Sequence, residues 1–421
     1  MIKRRLKRVL LSPLQILYVC LFCYYSVQII LSRFVRRVFG QKRSKLLVAV
    51  LIDEYFGGWD TPYGGYGFLA RHIVAAYLPD QQIEVEVILH GLKGYGGIQC
   101  RKIDNRYVYK LSKCDFLSKI WLRMKEYDIY LSIELTHLDA IALAPPDRKH
   151  ILWFQDPRPL SVWQFIETMK LMPESSFWSP AVYEYVREHS KEIRFISQGE
   201  SLKPLGRELY QLDDLTEVST LLNPITIDFN YDLQQQHKKD QIVFLARLES
   251  QKRPWVFCEI AKQMPMYEFH VLGQTFRRKE EMEALLLPYR DVKNIHFVGH
   301  LEGKDKKQYL ADSKILLNTS IWEGIPISWL EALSYGTLIV SCLDVENLPS
   351  SFGQYVGSVP GDGLDAEEIE LFKSAIAFVM ENEEWREQKA KDAVEYVRSK
   401  HTIQQFQDDM RSLILETSNR M

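Results

Sequence analysis

Residues 315–342 read ILLNTSIWEGIPISWLEALSYGTLIVSC. The runs 315–318 and 338–342 have the short apolar character of buried strands, and an amphipathic helical pattern begins at Pro326 and runs to about residue 335. Proline suits a first helical turn, because the N–H it lacks has no intrahelical acceptor there. Strand, loop, helix and strand in that order make one turn of a parallel α/β sheet. Glu323 falls in the loop, and Glu331 lies eight residues further on, inside the helix. The amides of Ile325, Ile327 and Ser328 come at the helix N-terminus, where unpaired N–H groups and the helix dipole favour an anion. A loop carboxylate beside that anion can accept hydrogen bonds from hydroxyls, and a carboxylate along the helix can grip a vicinal diol on the other side. A sugar, a diphosphate and a ribose fit that order.

The same alternation extends in both directions. Strand-like runs occur at residues 46–53, 84–89, 129–135, 150–155, 194–197 and 217–222, and again at 242–245, 268–272, 295–298, 315–318 and 338–342. Helical patterns fall at 68–77, 255–264, 306–311, 327–335 and 366–380. The polar stretch 228–240 divides the two series. The expected architecture is α/β, with two Rossmann-like, doubly wound parallel-sheet lobes facing a cleft and ligands at the strand carboxyl ends. The expected boundaries are 46–235 for the first lobe, 236–400 for the second and 401–421 for a terminal helix, behind a basic segment 1–45.

Upstream of the decisive unit, residues 244–252 read FLARLESQK, with Arg247 just past a strand and Lys252 five residues later. Two cations off one strand end can neutralise a departing diphosphate. Together these residues resemble glycosyltransferases of the GT-B fold, in particular the large retaining family GT4. The Glu-x7-Glu element matches as Glu323 and Glu331, the Arg/Lys element as Arg247 and Lys252, and a glycine after a strand as Gly299 in NIHFVGHL. The resemblance is strong over residues 240–345 and diffuse over 46–225. It implies that Glu331 holds the donor ribose and Glu323 the donor sugar, that Arg247 and Lys252 stabilise the leaving diphosphate, and that Gly299, Gly324, Ile325, Ile327 and Ser328 line the donor. It implies no cofactor and no metal: a nucleotide sugar enters as substrate, and cations and helix amides take up the leaving-group charge.

In the first lobe, residues 54–72 read EYFGGWDTPYGGYGFLARH. Gly65, Gly67 and Ala70 formally satisfy the G-x-G-x-x-A dinucleotide fingerprint, with Glu84 nineteen residues past Gly65. The fingerprint needs its tight turn straight off the strand, whereas these glycines begin some ten residues beyond it, so a nicotinamide oxidoreductase is the weaker reading. The resemblance gives Gly64 and Gly65 a place facing the donor phosphates, where missing Cβ atoms let backbone N–H groups approach. For the acceptor side, YDIYLSIELTHLDA (127–140) offers Glu134 and His137, and WFQDPRP (153–159) offers Asp156. A surface histidine and a turn aspartate are the plain alternatives.

The chain has 421 residues with 53 Lys and Arg against 55 Asp and Glu. The first 45 residues hold 11 of the basic groups and no acid, which leaves 42 basic against 55 acidic in the remainder. An acidic body argues against a nucleic-acid partner. Six cysteines in so long a chain do not make a disulfide framework. Residues 9–32 carry no charge, enough for a membrane helix or an interfacial anchor, with basic clusters on both flanks that anionic headgroups attract. Residues 101–125 add eight basic groups around Trp121, a face for a membrane surface or simply a solvated one. The expected partners are a nucleotide sugar, a glycan or lipid-linked acceptor and a membrane, with the lobes on its cytoplasmic face. The alternatives are a nucleotide-sugar epimerase or hydrolase on the same fold, and a non-catalytic sugar-nucleotide-binding scaffold.

Overall fold

The computed structural model describes residues 43–94, 97–135, 149–168, 180–235, 237–276 and 278–419. The apolar segment 9–32 and His137 lie outside the described residues. Among the described residues no helix is long and apolar enough to cross a membrane.

The strands of the first lobe are β1 Leu46–Ile52, β2 Ile83–Gly94, β3 Gln99–Ile103, β4 Arg106–Ser112, β5 Ile129–Ile133, β6 Lys149–Phe154, β7 Ile193–Ser197 and β8 Val218–Thr220. They form one sheet in the order β3-β4-β2-β1-β5-β6-β7-β8, parallel except for the β3–β4 hairpin. The second lobe contains β9 Lys239–Leu245, β10 Glu268–Leu272, β11 Ile295–Gly299, β12 Ser313–Asn318, β13 Leu338–Ser341 and β14 Gly353–Tyr355. Its sheet is wholly parallel, in the order β11-β10-β9-β12-β13-β14.

Central strands of such sheets are covered on both faces, so their side chains are apolar at every position rather than at alternate ones. In β1, Val48, Val50 and Ile52 point into one core cluster with Ile73 and Phe406, while Leu47, Ala49 and Leu51 point into another with Trp121 and Tyr127. In β9, Ile242 and Phe244 join the helix Pro254–Gln263, and Val243 packs with Trp329 and Leu330 of the helix Ile327–Ser334. In both sheets the strand order reverses beside the first strand, between β1 and β5 and between β9 and β12. Such switch points open a crevice at the strand carboxyl ends.

Two segments depart from the sequence expectation. Residues 99–112 form the β3–β4 hairpin, an edge whose charged side chains hid its strand character. After it, the helix Asp115–Lys125 buries Trp121 and Met124 against the sheet, and Lys125 pairs with the buried Glu86 at 2.7 Å. Trp121 is therefore a core residue rather than part of a membrane face.

The terminal helix Ile403–Asn419 crosses back to the first lobe. Phe406 stacks on Trp153 at 5.8 Å, and Met410, Leu413 and Ile414 enter the β1 core. The crossing is pinned by His401, whose Nδ1 lies 2.7 Å from Asn223 O and whose carbonyl accepts the Ile225 N–H at 3.0 Å. Burial pushes this imidazole from near 6.5 down to about 4. The unfolded chain therefore binds the extra proton between those two values, so folding stability falls as pH drops through that window. Urea unfolding should show a loss of about 3 kcal/mol between pH 6.5 and pH 4 attributable to His401, absent in His401→Gln. Equal pH slopes in the two proteins would remove His401 from the account.

Candidate active site

A cavity of about 890 Å³ lies between the lobes at both switch points. Each of the four strands that flank a reversal sends a charged residue to it from just past its end: Glu54 after β1, Glu134 after β5, Arg247 after β9 and Glu323 after β12.

On the second lobe, the chain leaves β9 through Arg247, makes one tight turn at Ser250–Lys252, and enters the helix at Pro254. Arg253, in the left-handed conformation at φ +45° and 0% exposed, holds that turn. Its guanidinium donates to Thr319 O at 2.7 Å, Val359 O at 2.8 Å and Cys342 Sγ at 3.3 Å, while Thr319 Oγ1 donates back to Lys252 O at 2.8 Å. Lys252 is thereby fixed opposite the loop after β12. Its Nζ lies 2.6 and 2.5 Å from the two carboxylate oxygens of Glu323, which also accepts the Ser320 hydroxyl at 2.6 Å. Arg247 lies 3.5 Å from Glu249. Glu331 projects from the helix Ile327–Ser334 and meets Lys306 of the helix Gly303–Asp312 at 2.7 Å. No side chain caps the helix at Pro326, and Gly324, Ile325, Ile327 and Ser328 all line the cavity. The fold thus brings Arg247, Lys252, Glu323 and Glu331 around one cavity. Gly299 does not line it: its carbonyl accepts the Gly273 N–H at 2.8 Å, and its neighbour His300 takes the lining position.

In the first lobe Gly64, Gly65, Glu134 and Asp156 all line the cavity. Gly64 gives up its Cβ to Glu54, since an added Cβ would lie 1.9 Å from the Glu54 carboxylate; Gly65 is the glycine with open space before it. Glu134 is buried at φ +53°, and its carboxylate accepts the amides of Gln155 at 2.9 Å and Asp156 at 3.0 Å. Burial raises its pKa. Asp156 in turn has one oxygen on Arg158 and the other on Trp322 of the second lobe, at 2.6 Å. The oxygens of both carboxylates serve protein groups, as those of Glu323 do.

Sequence reasoning missed Glu54, Lys306 and Tyr63. Glu54 accepts the Gly67 N–H at 3.0 Å; burial raises its pKa, and Arg247 across the cleft works in the opposite direction. Its position straight after a strand of the first lobe was a usable signal. Lys306 reads as one of several lysines in GKDKK on a solvated helix, and its pairing with Glu331 leaves no local trace. Tyr63 reaches across the cleft, its ring centroid 5.8 Å from that of Phe276 and 5.0 Å from that of His300. Among the described residues no group of three or more His, Cys, Asp or Glu is placed to hold a metal ion.

Residues 229–399 match the family model described as Glycosyl transferases group 1. Over 93 residues the chain is 31% identical to the O-antigen biosynthesis glycosyltransferase WbnH of Escherichia coli, which is 22% of this chain and 25% of that protein. The match therefore spans about a quarter of that relative's length. Among solved structures, the sucrose-phosphate synthase of Thermosynechococcus elongatus superposes with a TM-score of 0.65 at 11% identity, over 88% of this chain and 99% of that one. The pneumococcal O-GlcNAc transferase GtfA, in complex with UDP and GlcNAc, gives 0.57 at 14% identity, over 74% and 62%. At such identities the neighbours speak to the fold alone. The chain is a two-lobed α/β protein of GT-B-like fold whose second lobe matches the group 1 glycosyltransferase model.

Proposed function

We propose that this protein is a retaining glycosyltransferase that moves a sugar from a nucleotide-sugar donor to a glycolipid or polysaccharide precursor at a membrane. The observation that carries the reading is the convergence of Arg247, Lys252, Glu323 and Glu331 on one cavity lined by both lobes. The Lys252–Glu323 and Lys306–Glu331 pairs hold their charges at the cleft wall, with side chains 10–20% exposed. A diphosphate arriving at Arg247 and Lys252 competes for the cations and releases Glu323 to accept hydrogen bonds from sugar hydroxyls. Glu331, beside Lys306, takes the ribose diol. As the glycosidic bond to the diphosphate breaks, negative charge grows on its bridging oxygen, and the two cations neutralise it.

Support for a glycan acceptor comes from the relative named for O-antigen biosynthesis, and support for a uridine nucleotide from the neighbour in complex with UDP and GlcNAc. Retention of anomeric configuration is carried over from the GT4 resemblance. Membrane attachment rests on the uncharged run 9–32 and its basic flanks, and a cytoplasmic orientation on where nucleotide sugars are made.

The test is a thermal-shift screen of the purified chain against UDP-, GDP- and ADP-sugars. A donor present at a hundred times its Kd stabilises the folded state by about 2.7 kcal/mol. One donor class should raise the melting temperature and the others should not. No response to any of them would overturn the donor assignment. Incubating the responding donor without acceptor then separates transfer from epimerisation or hydrolysis, since those alter the donor by itself.

A further inference from the structure

Ile321 and Trp322 immediately precede Glu323, and both side chains are engaged by the other lobe. Ile321, 3% exposed, packs among Val162, Trp163 and Ile166 of the first-lobe helix Leu160–Thr168. The Trp322 indole Nε1 donates to Asp156 Oδ1 at 2.6 Å. Asp156 is itself held: its Oδ2 accepts Arg158 Nε at 3.0 Å and Nη2 at 2.5 Å, and its amide is bound by Glu134 Oε2 at 3.0 Å. On the second-lobe side, Gln251 Nε2 donates to Trp322 O at 2.7 Å and Gln251 O accepts the Ile321 N–H at 2.9 Å. The loop that carries Glu323 is therefore gripped from both lobes at once.

We propose that Asp156 is a positioning residue that transmits lobe closure, through the Trp322 indole, to Glu323 and so delivers that carboxylate to the donor sugar. This role rests on the donor reading above and replaces acceptor contact as the function of Asp156. Glu323 is one peptide unit from Trp322, so a strut that fixes the indole fixes the carboxylate's approach. When the lobes part, the hydrogen bond from Nε1 and the Ile321 packing are lost, and the loop keeps only its second-lobe contacts to Gln251 and Lys252. Glu331, on the helix behind, is untouched by the strut. Loss of the strut therefore weakens what is gained from the sugar and leaves nucleotide binding as it was.

The test uses the full chain, with UDP, GDP and ADP and their glucose conjugates as probes. Trp322→Phe keeps a ring in place and removes the donor N–H; Asp156→Ala removes the acceptor; Asp156→Asn keeps an acceptor oxygen for the indole. For the nucleotide that binds the wild type, Trp322→Phe and Asp156→Ala should retain its Kd within about threefold while turnover of the sugar conjugate falls roughly 10- to 100-fold, the effect of one lost charge-assisted hydrogen bond. Asp156→Asn should recover most of that loss. Unchanged nucleotide binding also shows that each variant is folded. Wild-type turnover in Trp322→Phe would overturn the role, as would losses of nucleotide binding that parallel the losses of turnover. So would an Asp156→Asn no better than Asp156→Ala. A wild-type chain that binds none of the six probes overturns the donor reading itself, and this role with it.

Discussion

Lys252→Ala is expected to lower turnover by about 10³-fold while leaving the fold intact. Removing a single preorganised donor from a developing oxyanion costs on the order of 10²–10³-fold. Here the same ammonium also binds both oxygens of Glu323, so its loss frees that carboxylate's position before the donor arrives, as well as removing the charge assigned to the leaving group. Glu323 would keep the Ser320 hydroxyl, and protonation relieves a carboxylate left without its cation. The turn that carries Lys252 is secured by the neighbouring Arg253, bonded to the carbonyls of Thr319 and Val359, so melting should move by only a few degrees. Lys252→Arg is not a conservative rescue, because a planar fork does not reproduce a compact ammonium at 2.5–2.6 Å from both carboxylate oxygens. Initial rates with the donor found by screening, set beside a circular-dichroism melt, decide the matter. Near-normal turnover would remove Lys252 from the site.

Gly324→Ala is expected to cost about 10²-fold in turnover by a different route. A Cβ at Gly324 would stand 2.1 Å from Gln155 O and 2.5 Å from Gln198 Nε2, both in the first lobe. The first of these is backbone just past β6, and Gln198 is itself locked to Gln155 O and Asn223 within a buried amide cluster. Neither neighbour can swing aside as a free side chain would. The least costly response is for the lobes to stay apart, which withdraws Glu323 from the cleft. A displacement of about 1 Å at a reacting centre is enough for a loss of that size. Each lobe keeps its own core, so the melting profile should change little while solution scattering reports a larger radius of gyration. A variant with wild-type scattering and wild-type turnover would show that the lobes tolerate the added methyl.

The parallel strands were legible because burial on both faces writes an unbroken apolar run, as in LLVAVLI of β1. The β3–β4 hairpin was not, since an edge exposed to solvent carries Arg101, Lys102 and Arg106 and loses the apolar signature. At the site, residue type and spacing pointed to Arg247, Lys252, Glu323 and Glu331, because a diphosphate demands cations and diols demand carboxylates. Their partners were another matter. Lys306 faces Glu331, and Glu54 stands over Gly64, through contacts that no sequence spacing records. Asp156 was visible as an acid past a strand, but its oxygens are spoken for by Arg158 and by Trp322, 166 residues away.

Local chemistry by itself determined that the chain alternates strand and helix twice over and where most of the buried parallel strands fall, and it set two acids eight residues apart within one βαβ unit. Those are properties of neighbours along the chain, governed by periodicity, helix ends and charge. The terminal helix shows where that reach stops. Phe406, Met410, Leu413 and Ile414 mark an apolar stripe at helical spacing, yet nothing in the stripe says which core it fills. The tertiary structure decided that it crosses back to the first lobe, and that the Glu323 loop seats itself against Asp156 and Gln155. Burial and hydrogen bonding between distant segments depend on shape complementarity, and shape exists only once both lobes have folded.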